Sequence, residues 1–360
     1  MSAIYLSLLF FSVILSGVGW SKEVNKLNAP FSWFFIYAFS VLLGFRSRFS
    51  GVDTMSYFNY FNDVSSNQTP DYSFELGFTY FTFFMTSITS VEIYIFFLTF
   101  IQLLSLYLSC KLLNIENKLL CIVLFIVFMP GLDMLTNGLR GGVSLAIGLV
   151  VLVATVIKNN RLAALNFLPM LIHASYGILA IISLFTQRFS RSSIHTLLFS
   201  LSLFFFTVWV FVNPLSMLAV IEGYSQESNY LGKLVRYLII EKELMSFSVK
   251  IYFIVLSILL SSIYFFTLKV NDKSKKDEVL SRMIFIILSG QFLYALFSFS
   301  QYAYRFMFLV YPLQIVMVAY VIDKYFSGLF RNILIYVLLV LGVLSTYTTN
   351  SFSSFELLSL

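Results

Sequence analysis

Apolar residues run through this chain in stretches of about 17 to 25, each long enough to cross roughly 30 Å of hydrocarbon as an α-helix. Polar residues gather between these stretches. Since every backbone polar group in a membrane must be bonded within the protein, the pattern predicts an all-α, polytopic integral membrane protein with about 11 or 12 transmembrane helices. The predicted spans lie near 1–20, 31–45, 72–89, 91–113, 118–134, 139–157, 161–185, 194–213, 248–269, 281–300, 305–323 and 329–348.

The amino-acid composition supports a membrane protein. Hydrophobic residues make up 59% of the chain and charged residues 11%, which excludes an ordinary water-soluble core. The first run, 1–20, lacks the basic start and small-residue cleavage site of a signal peptide, so we expect a retained helix. No linker or low-complexity tract divides the chain, which favours a single transmembrane domain over residues 1–360.

The cysteines and the net charge point to no further partner. Cys110 and Cys121 are the two cysteines, and they suggest neither a disulfide framework nor a thiolate metal site. The net charge of +6 follows from the expected cytoplasmic loops, so it gives no reason to expect a nucleic acid.

Lysine and arginine clusters orient the spans, because short cytoplasmic loops collect positive charge. Two long hydrophilic segments, 46–71 and 214–247, then fall on the outer face, where we expect the function. The clusters expected in the cytoplasm are Lys22 with Lys26, Lys111 with Lys118, Lys158 with Arg161, Arg188 with Arg191, the run from Lys269 to Arg282, and Lys324 with Arg331.

These assignments cannot all hold if every apolar run is a full span. We therefore expect the run 72–89 to lie at the outer face or to re-enter the membrane. We also expect the run 161–185 to be broken around Pro169 and His173 into two half-helices, since broken helices are tolerated where they line a cavity. The alternative is that a basic loop beside one of these runs simply departs from the rule.

Polar side chains beside or inside the spans are the candidate site residues, since a charge at mid-bilayer costs roughly 2.5 to 3.5 kcal/mol unless it is paired or hydrated. Glu75, Arg140, His173 and Arg305 stand out, and together they form a plausible ring. Two alternatives stay open. Arg140 sits where a snorkelling arginine at a helix end would sit, and a lone buried histidine is more often a packed residue than a catalyst.

The segment around Arg140 also carries small residues. It reads Asn-Gly-Leu-Arg-Gly-Gly-Val-Ser over residues 137–144 and opens a span. At helical spacing Gly138, Gly142 and Ala146 form a stripe for close helix packing. Arg140 falls on another face, together with Ser144 and Gly148.

Several arginines with few carboxylates are typical of an anion site, because guanidinium groups bind phosphate in bidentate fashion and stay charged in low dielectric. The sequence has no Gly-rich P-loop, no HExxH, no Cys/His metal spacing and no GxSxG elbow. Nucleotide and metal chemistry are therefore disfavoured. A lipid-borne phosphate or pyrophosphate, reached from the outer leaflet, is the ligand that fits.

An ordered set of short motifs runs from about residue 40 to residue 310, so it spans most of the chain. It resembles the EpsG-type branch of the O-antigen and exopolysaccharide polymerases, the Wzy group. Arg140 is followed by two glycines, where this resemblance leads us to expect a Gln or an Ala-rich start. The motifs are an Arg-rich end of an early helix (Arg46, Arg48), Gly-x-Asp-x-x-x-Tyr-x-x-x-Phe (Gly51, Asp53, Tyr57, Phe61), Glu-x-Gly (Glu75, Gly77), Asn-x-x-Arg (Asn137, Arg140), Ile-His-x-Ser (Ile172, His173, Ser175) and a late Arg305.

The resemblance implies a metal-independent membrane glycosyltransferase of the GT-C-like kind, working without a cofactor. Such enzymes transfer a growing glycan from undecaprenyl pyrophosphate to a hydroxyl of the next lipid-linked repeat unit. The implied location is the bacterial inner membrane, with the active site facing the periplasm. The implied partners are undecaprenyl-pyrophosphate-linked oligosaccharides as donor and acceptor, the lipid bilayer and a chain-length regulator protein, with no nucleic acid.

This chemistry needs a base for the acceptor hydroxyl and positive charge for the departing pyrophosphate. His173 is our first choice of base, since an unperturbed imidazole titrates near neutral pH. Asp53 is the second candidate, and otherwise it would bind sugar hydroxyls or orient an arginine. Arg140 completes the catalytic set, and the residues expected to bind the pyrophosphate or the glycan are Arg46, Arg48, Arg305, Tyr57, Glu75 and Tyr304.

Two other classes of protein compete with this interpretation. A flippase for lipid-linked oligosaccharides, or another transporter, would also have many spans and a positive cavity, but it should show repeat symmetry, which we do not find in the sequence. A membrane acyltransferase acting on glycans would cluster its His and Arg residues in the N-terminal third, whereas here they spread to Arg305.

Overall fold

The computed structural model of this protein describes residues 2–17, 25–48, 53–66, 68, 74–189, 192–211, 277–297 and 304–348. Within these ranges the chain forms α-helices joined by short connections, and a 3₁₀ helix at Leu168–Leu171. The α-helices are α1 (Ser2–Gly17), α2 (Asn25–Gly44), α3 (Thr54–Ser65), α4 (Leu76–Thr86), α5 (Val91–Leu112), α6 (Lys118–Val127), α7 (Met129–Thr136), α8 (Leu139–Val156), α9 (Asn160–Ala163), α10 (Tyr176–Phe189), α11 (Ser192–Phe211), α12 (Glu278–Leu296), α13 (Tyr304–Tyr325) and α14 (Gly328–Thr348).

The predicted all-α, polytopic membrane architecture is confirmed. Among the described residues, five helices are long and apolar enough to cross a membrane, or up to six if one bent pair counts as a span. Shorter apolar helices accompany them, and the predicted span 248–269 lies outside the described residues. The five spans are Leu27–Gly44, Val91–Leu112, Leu139–Val156, Glu278–Leu296 and Phe306–Tyr325.

The predicted span 118–134 is not one straight helix, because α6 and α7 meet at a bend of 83°. Phe128 separates them with an extended backbone, at φ −90° and ψ 138°. Pro130 lies in the first turn of α7, where a proline starts a helix well but cannot continue one from the residues before it. The bend therefore comes from a proline that a hydropathy profile does not register.

The predicted break in the run 161–185 around Pro169 and His173 is confirmed, but the expected half-helix before it is wrong, since that part holds a four-residue α-helix and a 3₁₀ helix joined by turns. α9 ends at Ala163, the 3₁₀ helix around Pro169 follows, and α10 begins only at Tyr176. The run 72–89 contains only the 11 residues of α4, which at 1.5 Å per residue extend about 16 Å and cannot cross the hydrocarbon. This agrees with the expectation that 72–89 is not a full span.

The chain divides into two compact units, one of Met1–Ile181 with Pro312–Leu360 and the other of Ile182–Tyr311. In the first unit α5 packs along both α2 and α8, and α6 contacts α1, α2, α5 and α14. In the second unit α11 packs along α12.

α8 is held against its neighbours in the first unit through glycines. A Cβ atom at Gly142 would overlap the Gln102 side chain of α5 and would come within 2.8 Å of the Met134 carbonyl of α7. A Cβ atom at Gly148 would overlap the Tyr176 ring of α10. Gly142 therefore serves the close packing expected of its stripe, and the face of Gly148 is close-packed as well.

Candidate active site

Glu75, Arg140 and His173 come together in the first unit around one carboxylate. Oε2 of Glu75 accepts a hydrogen bond from Nη1 of Arg140 at 2.7 Å, and Oε1 lies 3.0 Å from Nδ1 of His173. The backbone N–H of Ala174 donates to the same Oε1 at 3.1 Å. The three side chains are each between 23% and 29% exposed, so the cluster is open to a ligand.

Three different elements carry these side chains. Glu75 directly precedes α4 and has an extended backbone, at φ −62° and ψ 148°, and its side chain does not cap its own helix. Arg140 lies in the first turn of α8, and His173 lies between the 3₁₀ helix and α10. The cluster therefore depends on how the N-termini of α4 and α8 meet the broken segment.

Two close contacts fix that meeting point. A Cβ atom at Gly77 would lie 2.7 Å from the carbonyl oxygen of Leu171, so the first turn of α4 sits directly on the 3₁₀ helix. Oγ of Ser144 donates to the carbonyl of Pro169 at 2.8 Å, which ties α8 to the same segment. The same carbonyl accepts the backbone N–H groups of Ile172 and His173, so the bond from Ser144 anchors α8 directly beside His173.

Aromatic side chains support Arg140. The guanidinium carbon lies 4.3 Å from the centre of the Phe74 ring, within the range of a cation–π contact. Phe74 packs against Tyr60 with ring centres 4.5 Å apart. The hydroxyl of Tyr57 accepts the backbone N–H of Arg140 at 3.3 Å, so α3 also holds the start of α8.

The Glu75 carboxylate is ionised at neutral pH. Partial burial raises its pKa, but the N–H of Ala174, the charge of Arg140 and the bond to His173 together lower the pKa below its ordinary value. A carboxylate only accepts hydrogen bonds, so Nδ1 of His173 must carry the hydrogen in their contact. In the neutral imidazole the lone pair then lies on Nε2.

Tyr57 keeps its hydroxyl hydrogen. Burial raises the pKa of Tyr57 to about 12. The contact with Arg140 and the positive charges of Arg140 and Arg46 lower this pKa, and the negative charge of Asp53 raises it. The phenol is therefore neutral at physiological pH, and it contributes to the site as a hydrogen-bonding group.

Arg46 lies in a different environment from that expected of a ligand-binding arginine. It is 2% exposed. Nη1 donates to the carbonyls of Leu43 and Leu135, and Nη2 donates to the carbonyl of Thr136 and to the hydroxyl of Thr54. Burial lowers the pKa of Arg46 to about 9, which leaves it charged at pH 7. This geometry favours a supporting role, in which Arg46 joins α2, α3 and the end of α7.

The structure does not test the roles predicted for four other residues. Arg48 and Asp53 are both exposed, and the undescribed residues 49–52 lie between them in the sequence. The negative charge of Asp53 raises the pKa of Tyr57. Tyr304 and Arg305 open α13, but their side chains lie outside the described residues. The hydrophilic segment 214–247 also lies outside them. The roles predicted for these residues stay predictions.

Three participants were not identified from the sequence. Phe74 is one of 42 phenylalanines and has no distinguishing pattern. The Ala174 contact uses a backbone N–H, which no side chain signals. Gly141 had a visible signal, because it begins the pair of glycines after Arg140, and a Cβ atom there would face the His173 ring at 3.4 Å.

Comparison with protein families finds a match. The family model described as the EpsG family matches residues 31–359, which include the whole cluster. Searches of the curated proteins and of the solved structures each return no match to this chain. Among the described residues, no group of three or more His, Cys, Asp and Glu side chains is placed to hold a metal ion.

Proposed function

The chain belongs to the EpsG family and is a polysaccharide-polymerase-like membrane protein, and from this premise we propose that it joins lipid-linked oligosaccharide repeat units into O-antigen or exopolysaccharide. The proposed donor and acceptor are both carried on undecaprenyl pyrophosphate. The proposed location is the bacterial inner membrane, with the cluster open to the periplasm.

The observation that carries this proposal is the shared carboxylate of Glu75, which holds a cation and an imidazole side by side. Glycosyl transfer needs these two groups together. The acceptor oxygen forms a bond to the anomeric carbon of the donor while the bond from that carbon to the pyrophosphate oxygen breaks. The hydroxyl proton passes to a base, and the bonding electron pair leaves with the pyrophosphate.

His173 is the proposed base. The contact with Glu75 fixes the hydrogen on Nδ1, so Nε2 has the lone pair that takes up the proton of the acceptor hydroxyl. Glu75 then faces an imidazolium cation, which its negative charge stabilises. In this scheme Glu75 positions His173, and its proposed role shifts from binding the glycan to orienting the base.

Arg140 is the proposed partner of the departing pyrophosphate. A guanidinium has five N–H donors, and the hydrogen bond to Glu75 uses one of them, on Nη1. Phosphate oxygens accept guanidinium hydrogen bonds in bidentate fashion, which suits the charge that develops on the leaving group. The Phe74 ring, 4.3 Å from the guanidinium carbon, restricts the positions that the Arg140 side chain can take.

Complementation tests the proposal with the native substrate. The cells for this test make the lipid-linked repeat unit but lack this protein. The wild-type chain should restore a ladder of polymer, while Arg140→Ala and His173→Ala should leave single lipid-linked repeat units. Arg161→Ala removes an exposed arginine of α9 and should restore the ladder as a matched control. Repeat units that accumulate on the cytoplasmic face would instead favour a flippase, and a full ladder from both site variants would contradict the proposed site.

A further inference from the structure

Two glycines follow Arg140, and within the described part of the chain close packing accounts for the second of them. Gly142 is buried, and a Cβ atom there would overlap the Gln102 side chain and approach the Met134 carbonyl to 2.8 Å. Its lack of a side chain is therefore explained by the packing of α8 on α5 and α7.

Among the residues that the structure describes, no such packing explains Gly141. Of these residues, a Cβ atom there would meet the His173 ring alone, at 3.4 Å from Cδ2 and 3.7 Å from Nε2, which is ordinary van der Waals contact. The residue lies within α8, and its φ is not in the left-handed region. Because alanine is more favourable than glycine in a helix, the fold alone would prefer alanine at this position.

Gly141 is only partly buried, in contrast to Gly142, and it borders the edge of His173 that carries Nε2. The opposite edge, at Nδ1, is held by Glu75. Any hydroxyl that gives its proton to Nε2 must come within about 2.6 to 3.2 Å of that nitrogen. A Cβ atom at Gly141 would lie 3.7 Å from the same nitrogen, so it would compete with the carbon that bears this hydroxyl for the space beside Nε2.

We propose that Gly141 forms the floor of the acceptor subsite, where the terminal sugar of the acceptor glycan lies between the first turn of α8 and Nε2 of His173. This inference rests on the proposed polymerase function and names the substrate that occupies this side of the site. The donor pyrophosphate lies at the Arg140 side chain, so the two substrates meet across the imidazole.

The test uses an acceptor that cannot act as a donor. An alkyl glycoside of the repeat unit has no pyrophosphate leaving group, so its concentration can be varied while the lipid-linked donor is saturating. Gly141→Ala should raise the KM for this acceptor about tenfold, since one added carbon in a fitted pocket costs about that much. Gly141→Val should raise it further, and both variants should keep the wild-type KM for the donor.

Stability and pH measurements separate this role from a structural one. Gly141→Ala should unfold at the wild-type temperature or above it, whereas Gly142→Ala should unfold at a lower temperature. The dependence of kcat on pH should be the same in Gly141→Ala and in the wild type, because the base is left in place.

Three results would overturn the inference while leaving the polymerase function intact. The first is a wild-type acceptor KM in both Gly141 variants. The second is a rise in the donor KM alone, which would place a phosphate group at Gly141. The third is a shift of the pH profile, which would mean that Gly141 seats His173. A wild-type protein that makes no product from either substrate would refute the proposed function itself.

Discussion

Glu75 and Arg140 lie 65 residues apart in the chain and form an ion pair, with 2.7 Å between Oε2 and Nη1. The same carboxylate bonds His173 through its other oxygen. A single acidic side chain therefore sets the spacing between the proposed leaving-group cation and the proposed base. This arrangement places several properties of the site under the control of Glu75.

Glu75→Gln keeps the shape of the side chain but removes its charge. We expect the rate of polymer formation to fall by about 100-fold or more, because an amide neither fixes the His173 tautomer nor stabilises the imidazolium. The measurement is the initial rate of repeat-unit addition by purified protein in liposomes. Glu92→Gln, in the first turn of α5, is the matched control and should keep the wild-type rate. An equal rate in the two variants would remove Glu75 from the mechanism.

The contribution of Glu75 to stability should depend on pH. Its pKa in the folded protein lies below the ordinary value of 4.5, because the Ala174 N–H, Arg140 and His173 outweigh the effect of burial. The stabilisation is therefore complete above about pH 4.5 and is lost as the pH falls through the lower, folded value. Thermal unfolding in detergent should show a wild-type advantage over Glu75→Gln at neutral pH that shrinks in acid. A difference of constant size across this range would contradict the ionic contacts.

Arg46 should matter for stability more than for substrate binding. Arg46→Ala removes the donor that Arg46 supplies to the carbonyls of Leu43, Leu135 and Thr136, although Thr136 keeps the longer bond from the Thr54 hydroxyl. We expect the free energy of unfolding to fall by about 3 kcal/mol. Arg48→Ala removes an exposed arginine two residues away and should change that free energy by less than about 0.5 kcal/mol. Denaturant unfolding in detergent compares the two. Unchanged stability of Arg46→Ala with a raised donor KM would instead support the predicted contact with pyrophosphate.

Ser144 should act on catalysis through the broken segment. Ser144→Ala removes the hydrogen bond to the Pro169 carbonyl, which costs about 1 kcal/mol and loosens the segment that carries His173. We expect kcat to fall while the donor KM stays unchanged. Ser109→Ala, which removes a hydrogen bond within α5, is the control and should leave both constants unchanged. Equal kcat values in the wild type and in Ser144→Ala would show that the anchor does not position the base.

The hydropathy pattern predicted the helical membrane architecture because lipid leaves the backbone few other ways to satisfy its polar groups. The positions of the basic loops predicted the break near Pro169. Two loops on the same side of the membrane must be separated by an even number of crossings, and a single unbroken run lies between the basic loops on either side of 161–185. The bend at Phe128 was not predicted. Pro130 lies in the first turn of α7, a position that favours proline. A single proline changes neither the hydropathy nor the charge of the run 118–134, so these two signals do not indicate the bend.

Glu75, Arg140 and His173 were predicted as site residues because placing a polar group beside lipid costs free energy, so such residues in membrane proteins are usually functional. The sequence did not indicate how they connect. A glutamate that binds a sugar and a glutamate that orients a histidine look identical in a sequence. The contacts of Glu75 with Arg140 and His173 distinguish the two roles. Arg46 presents the same difficulty, since a guanidinium bonded to buried carbonyls and one open to phosphate follow the same sequence pattern.

The most direct test of the account is polymerisation by the purified protein in liposomes. The substrate is undecaprenyl-pyrophosphate-linked repeat unit, and a chelator removes divalent metal. Our account predicts a ladder of products from the wild type and from Arg161→Ala, and single repeat units from Arg140→Ala and His173→Ala. Ladders of equal length from all four proteins would contradict the proposed site. Transport of the repeat unit without elongation by the wild type would contradict the polymerase function.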